Sequence, residues 1–223
     1  MIAPVLIIAG SYLVGAFPVA YLTGRLLRGV DLREYGSANV GASNVWQSVS
    51  RRAVVPVGLA EIGQGMAGIL IAKLADQGLT VQVLAGLAAV AGHNWSVFLA
   101  LSGGRGIGHS IGFMLVLSWP ALGVFIAVSL IGVGVRAIPA AVGLGVVLAP
   151  LSALLAGQSK AIVLGCLGLA GIVMAKRLLT NHPAPPPDMG WREVLLNRLL
   201  LDRDVREREE WVQRGSGDAG GAR

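Results

Sequence analysis

Long apolar segments separated by short polar ones occupy about the first 175 residues of the chain. A helix needs roughly 20 apolar residues to cross a bilayer. The apolar runs predict seven such segments, at about 4–24, 53–74, 79–101, 106–118, 121–135, 138–156 and 160–175. Many of these segments are rich in Gly and Ala, which let transmembrane helices approach closely. The pattern therefore predicts an all-α integral membrane protein built as a compact bundle of seven transmembrane helices.

Composition and charge agree with a membrane location. The chain is 54% hydrophobic and 13% charged, whereas a soluble domain has about a quarter charged residues. The net charge of +6 could suggest nucleic acid, but the basic residues flank apolar spans, so an orientation signal explains them better. With seven spans and the N-terminus outside, only Lys73 and Lys160 of the 18 Lys and Arg residues fall on the outer side. No nucleic-acid partner is expected, and the single cysteine, Cys166, excludes a cysteine-based metal site.

The chain changes character after Asn181. A stiff HPAPPPD stretch precedes WREVLLNRLLL, in which Trp191, Val194 and Leu195 recur at helical spacing. This spacing predicts an amphipathic helix on the cytoplasmic surface. We predict a membrane domain over 1–176, with active-site loops at 33–47 and 92–110, and a cytoplasmic Pro-rich and amphipathic tail over 177–223 that is peripheral to the chemistry.

The first Gly-rich loop reads DLREYGSANVGASNVWQ and lies on the predicted inner side. Glycines allow backbone N–H groups to converge on an anion, and phosphate is best matched by arginine together with several other donors. A polar loop that only caps helix ends is the alternative, because Ser and Asn are good N-caps. The residues predicted to contribute to a phosphate site are Arg33, Gly36, Ser37, Asn39, Gly41, Ser43 and Asn44.

The second loop, GHNWSVFLALSGGRGIGHS, repeats this chemistry on the same side. Gly103, Gly104 and Gly106 surround Arg105, so this turn can also present N–H groups and one cation to an oxyanion. His93 lies at membrane depth, where an ionisable group is a functional candidate. The alternative is that His93 only ties helices together by hydrogen bonds, and we interpret His109 as structural.

Glu61 is the one carboxylate placed inside a predicted span. It requires a partner such as an arginine or His93, or protonation, and a structural ion pair is as plausible as a catalytic role. The familiar nucleophile elbow, zinc-protease and P-loop motifs are absent from the sequence.

The order and spacing of these motifs resemble the bacterial acyl-phosphate:glycerol-3-phosphate acyltransferases, the PlsY family. The resemblance covers roughly residues 10–181, and its two loop motifs are the most specific. It rests on YLVGAFPVAYL at 12–22, REYGSANVGASNVWQ at 33–47, EIGQG at 61–65, GHNWSVFLALSGGRG at 92–106 and KRLLTN at 176–181.

The resemblance implies a multi-pass protein of the bacterial inner (plasma) membrane, with its Gly-rich loops and C-terminus cytoplasmic. It implies transfer of an acyl group from acyl-phosphate to glycerol 3-phosphate, which forms lysophosphatidic acid for phospholipid synthesis. The expected partners are these two substrates and membrane lipids, without a metal or cofactor. Ser37, His93 and Arg105 are the predicted catalytic residues, and the other loop residues named above are predicted to bind substrate phosphate.

Several positions depart from the family pattern. Ala38 replaces Gly, Ser43 replaces Thr and Arg105 replaces Lys. The larger changes are Gln47 for Arg, Gln64 for Lys, and Gly171 and Met174 for His and Asn, with Arg51, Arg52, Lys176 and His182 as possible compensating residues. Two hypotheses follow: an active acyltransferase with a rearranged phosphate site, or a catalytically altered or inactive member that binds lipid or a different phosphorylated acceptor.

Overall fold

The computed structural model describes residues 2–35, 37–181 and 189–207, and all regular structure in these ranges is helical. Helices occupy each of the seven predicted apolar segments. The helices are α1 (Ile2–Ala16), α2 (Val19–Arg28), α3 (Ala42–Ser48), α4 (Val54–Leu74), α5 (Leu79–Asn94), α6 (Ile107–Leu117), α7 (Trp119–Gly134), α8 (Ile138–Leu155), α9 (Lys160–Leu178) and α10 (Trp191–Leu201), with a 3-10 turn at Val97–Leu99.

The first predicted span is not one straight helix. Phe17 and Pro18 interrupt it and separate α1 from α2, because proline has no N–H and clashes with the preceding helical turn. Ile2–Arg28 as a whole is nevertheless one of five segments in the described chain that are long and apolar enough to cross a membrane. The helices α6 and α7 are equally apolar but shorter.

The main core lies where helices α4 to α9 meet. Ile69, Phe113, Met114, Leu169 and Val173 are fully buried there. Small residues bring the backbones together: a Cβ on Gly15 of α1 would collide with the backbone of Ala89 in α5. This close packing fixes the ends of the helices from which the two Gly-rich loops emerge.

A second, smaller apolar cluster lies under the first loop. Leu32, Val45, Val49, Val57 and Leu99 are buried together in it. This cluster joins the loop, the short helix α3 and the start of α4, so the first loop has its own apolar support.

The tail contains the predicted helix, and it packs against the membrane domain. Val194 and Arg198 of α10 are buried, whereas Trp191 and Leu200 are exposed, and α10 contacts α8 and α9. The helix α9 continues to Leu178, past the predicted division at residue 176. The Pro-rich stretch HPAPPPD lies outside the described residues.

Candidate functional site

An aspartate that the sequence analysis did not single out anchors the first loop. Arg33 donates to Asp31 from Nε at 3.0 Å and from Nη2 at 2.7 Å, and Arg25 adds a contact at 2.9 Å. The Arg33 guanidinium, more than any other neighbour, lowers the pKa of Asp31. Arg33 was predicted to supply charge to a phosphate. In the structure it is instead paired with Asp31, because the two residues lie two positions apart in one turn.

Asn44 holds the backbone of the first loop together. It is fully buried, and its amide donates to Leu32 O at 3.2 Å and Tyr35 O at 2.9 Å. The hydroxyl of Ser48 donates to Asn44 Oδ1 at 2.9 Å. The loop itself uses the donors of Asn44 in this structure, and the contact of Asn44 with phosphate stays a prediction.

Other polar groups of the first loop remain available. Asn39 Nδ2 donates to Ser43 Oγ at 3.3 Å, while Asn39 Oδ1 is buried without a hydrogen-bond partner among the described residues. Ser37 is half-buried, and its hydroxyl makes no hydrogen bond within the described chain. Gly41 begins α3, and Gly36 lies outside the described residues. Ser37 and Asn39 are thus the loop groups best placed to meet a ligand.

Glycines of the second loop allow it to lie directly on His93. The N–H of Gly104 donates to His93 O at 3.1 Å. A Cβ on Gly104 would collide with the His93 ring and with Val40 O of the first loop. Gly103 is similarly pressed against His93 O, and Gly106 starts α6 with a φ of +73°. These glycines therefore serve the close approach of the two loops.

Arg105 is buried within a cluster of basic residues. It is 6% exposed, its Nη1 donates to Lys176 O at 3.1 Å, and its Nε lies 2.6 Å from Asp202 Oδ1. Asp202 follows α10, so the tail that was expected to be peripheral reaches a predicted catalytic residue. No pattern in the sequence pointed to this contact.

The two buried histidines stack on each other. The ring centroids of His93 and His109 are 4.3 Å apart. The His93 ring makes no hydrogen bond to any described residue, so it does not tie helices together in the way the structural alternative required. Both ring nitrogens of His109 are buried without a partner in the described chain.

Glu61 reaches the site from α4. It is buried beside Gly41 of the first loop and Gly108 of α6. No ion pair within the described ranges includes it, and its Oε1 has no hydrogen-bond partner there. No cationic partner for Glu61 is found among the described residues, so the other expectation, a protonated Glu61, stays a prediction.

A small cavity, partly open to solvent, joins these groups. It lies between the α1–α2 break, the first loop, α4 and the second loop. Its lining includes Val40, Glu61, Gln64, His93, Ser96 and Gly103. The cavity thus brings the carboxylate, the imidazole and both loops to one place.

The substituted positions have identifiable roles. The Gln64 amide donates to Val14 O at 2.7 Å and to Phe17 O at 3.0 Å, which adds a second donor to each of these carbonyls at the end of α1. Gln47 is exposed and donates only to Ser43 O, at 3.2 Å. Gly171 is exposed, and Met174 packs against the main core.

Lys176 is the proposed compensating cation that lies near the site. It is 1% exposed, its Nζ donates to Asn181 Oδ1 at 2.9 Å, and it lies 5.7 Å from the ring centroid of Trp95. Arg51 and Arg52 are exposed, and Arg51 lies over the ring of Trp46. His182 lies outside the described residues.

Asn181 links the two loops, a role that the sequence analysis missed. Its amide donates to Ala38 O and Gly103 O, each at 2.8 Å. The only signal in the sequence was the position of Asn181 at the end of the KRLLTN motif, which carried no information on partners.

Comparisons with known proteins agree with the motif resemblance. A family profile described as "Glycerol-3-phosphate acyltransferase" matches residues 5–183. Glycerol-3-phosphate acyltransferase 5 of Dehalococcoides mccartyi (strain ATCC BAA-2266 / KCTC 15142 / 195) is 38% identical over 96% of this chain and 94% of its own length. A glycerol-3-phosphate acyltransferase of Synechococcus sp. (strain CC9902) is 40% identical over 73% of this chain and 82% of its own.

Solved structures of PlsY (YgiH), an integral membrane glycerol 3-phosphate acyltransferase, share the fold. The glycerol 3-phosphate form superposes with a TM-score of 0.75 and 26% identity, covering 92% of this chain and 96% of that one. The lysophosphatidic acid form gives a TM-score of 0.73 at 22% identity, covering 94% and 98%. The profile match, the relatives and the fold together show that this chain belongs to the glycerol-3-phosphate acyltransferase family of integral membrane proteins.

Proposed function

We propose that the protein transfers an acyl group from acyl-phosphate to the sn-1 hydroxyl of glycerol 3-phosphate, releasing lysophosphatidic acid and phosphate. Family membership supports this activity. The main support from geometry is the cavity in which His93, Glu61 and both Gly-rich loops meet. The alternative of an altered or inactive member is less favoured, because relatives that match nearly the whole chain carry the acyltransferase name.

The reaction requires little chemical assistance with its leaving group. The hydroxyl oxygen attacks the acyl carbon, the bond from that carbon to the phosphate oxygen breaks, and phosphate departs with the electron pair. The hydroxyl proton must be accepted nearby. The His93 ring has no hydrogen-bond partner in the described chain and lines the cavity, so we assign it this role. Positioning of two phosphates and screening of their charge then supply most of the rate enhancement.

The two loops would bind the phosphates with fewer groups than first expected. Ser37, Asn39, Ser43 and the second loop are the proposed ligand contacts, with Arg105 as the principal cation. Arg33 and Asn44 are assigned to holding the first loop, because Asp31 accepts from two nitrogens of the Arg33 guanidinium and the loop carbonyls accept from the Asn44 amide.

We further propose seven membrane crossings, with the N-terminus outside and both Gly-rich loops and the C-terminus in the cytoplasm of a bacterial inner membrane. Five segments have sufficient length and apolar character, and α6 and α7 would supply shorter crossings. The asymmetric placement of Lys and Arg supports this orientation.

The activity can be tested with purified full-length protein in lipid nanodiscs. Labelled glycerol 3-phosphate is supplied with palmitoyl-phosphate or, in parallel, with palmitoyl-CoA. We expect labelled lysophosphatidic acid with palmitoyl-phosphate only. A folded protein that forms no product with either donor would contradict the proposal and favour a different acceptor.

A further inference from the structure

The C-terminal segment beyond the family profile contacts the second Gly-rich loop through a single carboxylate. The profile ends at residue 183, whereas Asp202 lies 2.6 Å from the buried guanidinium of Arg105. Asp202 directly follows α10 and has a φ of +55°. The left-handed turn at this position directs the chain back against α10.

Reciprocal hydrogen bonds fix the place of this segment. Arg177 of α9 donates to Leu199 O of α10 at 2.8 Å, and Arg198 of α10 donates to Leu178 O of α9 at 2.8 Å. Arg198 also pairs with Asp204 at 2.5 Å. All three ionic side chains are buried. The turn that carries Asp202 is therefore held rigidly, and the carboxylate has a defined position relative to Arg105.

The ion pair between Asp202 and Arg105 lies among buried basic residues. Arg105, Lys176 and Arg177 are all buried, and among the described residues Asp202 is the carboxylate that forms an ion pair with one of them. A buried cation without a partner is costly. One carboxylate among three basic groups lowers that cost while leaving an excess of positive charge, as a dianionic phosphate requires.

The contacts of Arg105 leave part of its guanidinium for a ligand. Nε faces Asp202 and Nη1 donates to Lys176 O. Nη2 makes no hydrogen bond to a residue in the described ranges. The ion pair at Nε and the hydrogen bond at Nη1 restrain the planar guanidinium at two of its three nitrogens and leave Nη2 for a ligand.

We propose that Asp202 is a positioning residue for phosphate binding, by which the C-terminal segment orients Arg105 toward glycerol 3-phosphate. This inference rests on the proposed function of Arg105. Asp202 does not touch substrate; it acts through Arg105.

The test compares Asp202→Asn with Glu193→Gln in the full-length protein. Glu193→Gln also removes one carboxylate from this segment. The ion pair that Glu193 forms with Arg206, at 3.7 Å, is exposed. We expect Asp202→Asn to raise both KM and Kd for glycerol 3-phosphate about tenfold, with the KM for acyl-phosphate unchanged. Asp202→Glu should recover part of this loss, and Glu193→Gln should behave as wild type.

A double-mutant cycle with Arg105→Lys separates positioning from a structural role. If Asp202 acts through Arg105, adding Asp202→Asn to Arg105→Lys should change Kd little further. Fully additive effects, or an unchanged or lower Kd in Asp202→Asn alone, would overturn the proposal; a lower Kd would show that the carboxylate competes with substrate. Because Kd is measured by calorimetry, wild-type protein that binds but does not turn over would contradict only the proposed function.

Discussion

The side-chain amide of Asn181 donates to Gly103 O at 2.8 Å, which attaches the end of α9 to the second Gly-rich loop. The same amide donates to Ala38 O of the first loop at the same distance. Lys176 holds the other end of the Asn181 side chain through Oδ1. A single residue outside both loops thus sets the separation of the two proposed phosphate sites.

Asn181→Asp should impair acyl transfer more than Asn181→Ala does. The alanine variant loses three hydrogen bonds, a loss of about 3 kcal/mol. The aspartate variant keeps the contact with Lys176 but directs a carboxylate oxygen at two carbonyls. We expect the KM for glycerol 3-phosphate to rise in both variants, measured from initial rates in nanodiscs. Gln77→Glu, which also replaces a side-chain amide with a carboxylate but at an exposed turn, is the control. Equal kinetics for Asn181→Asp and this control would exclude the linking role.

Gln64→Leu should destabilise the protein by about 2 kcal/mol, because two side-chain hydrogen bonds to the carbonyls of Val14 and Phe17 are lost. Gln64→Lys, which restores the family residue, keeps N–H donors and should remain close to wild type. Thermal unfolding followed by tryptophan fluorescence measures the difference. Gln47→Leu, which removes one exposed hydrogen bond, serves as the control; a melting temperature of Gln64→Leu no lower than the control's would refute the capping role.

Ala38→Gly should stabilise the first loop. Ala38 has a φ of +51°. In this left-handed region a Cβ destabilises the backbone conformation by about 1 kcal/mol. Glycine also matches the family pattern at this position. Ala67→Gly, inside α4, should lower the melting temperature instead. If both variants melt below wild type by the same amount, backbone strain at Ala38 does not limit the stability of the first loop.

The contribution of Asp31 to stability should depend on pH. Arg33 lowers the pKa of Asp31 below its ordinary value of 3.8. The ion pair therefore stabilises the fold above that value and is lost as the pH falls through the lower folded pKa. We expect Asp31→Asn to melt below wild type at about pH 7. The difference between the two melting temperatures should shrink as the pH falls toward about 3. A gap that stays constant across this range would show that the charge of Asp31 is unimportant.

Much of the helical arrangement could be predicted from the sequence, because apolar run length alone determines where a membrane helix fits. The break at Pro18 was not predicted, although proline is a known cause. Whether α6 and α7 both cross the membrane is still a prediction, since each is short.

Loop membership of the site residues was predictable, but their contacts were not. Arg33 and Asn44 have the right chemistry for phosphate, yet nearby Asp31 pairs with two nitrogens of Arg33 and backbone carbonyls accept from the Asn44 amide. The roles of Asn181 and Asp202 depend on contacts across 78 and 97 positions of the chain, respectively. Such contacts follow from tertiary packing and leave no pattern in a single sequence.

The most direct test of the account is the rate of lysophosphatidic acid formation as a function of glycerol 3-phosphate concentration. It compares wild type, Ser37→Ala and Arg105→Ala in identical nanodiscs with palmitoyl-phosphate. We predict saturable turnover by wild type and loss of nearly all turnover in both variants, with their melting temperatures showing that they remain folded. Near-normal turnover in both variants, or none in folded wild type, would contradict the claim that these loops form the site of acyl transfer.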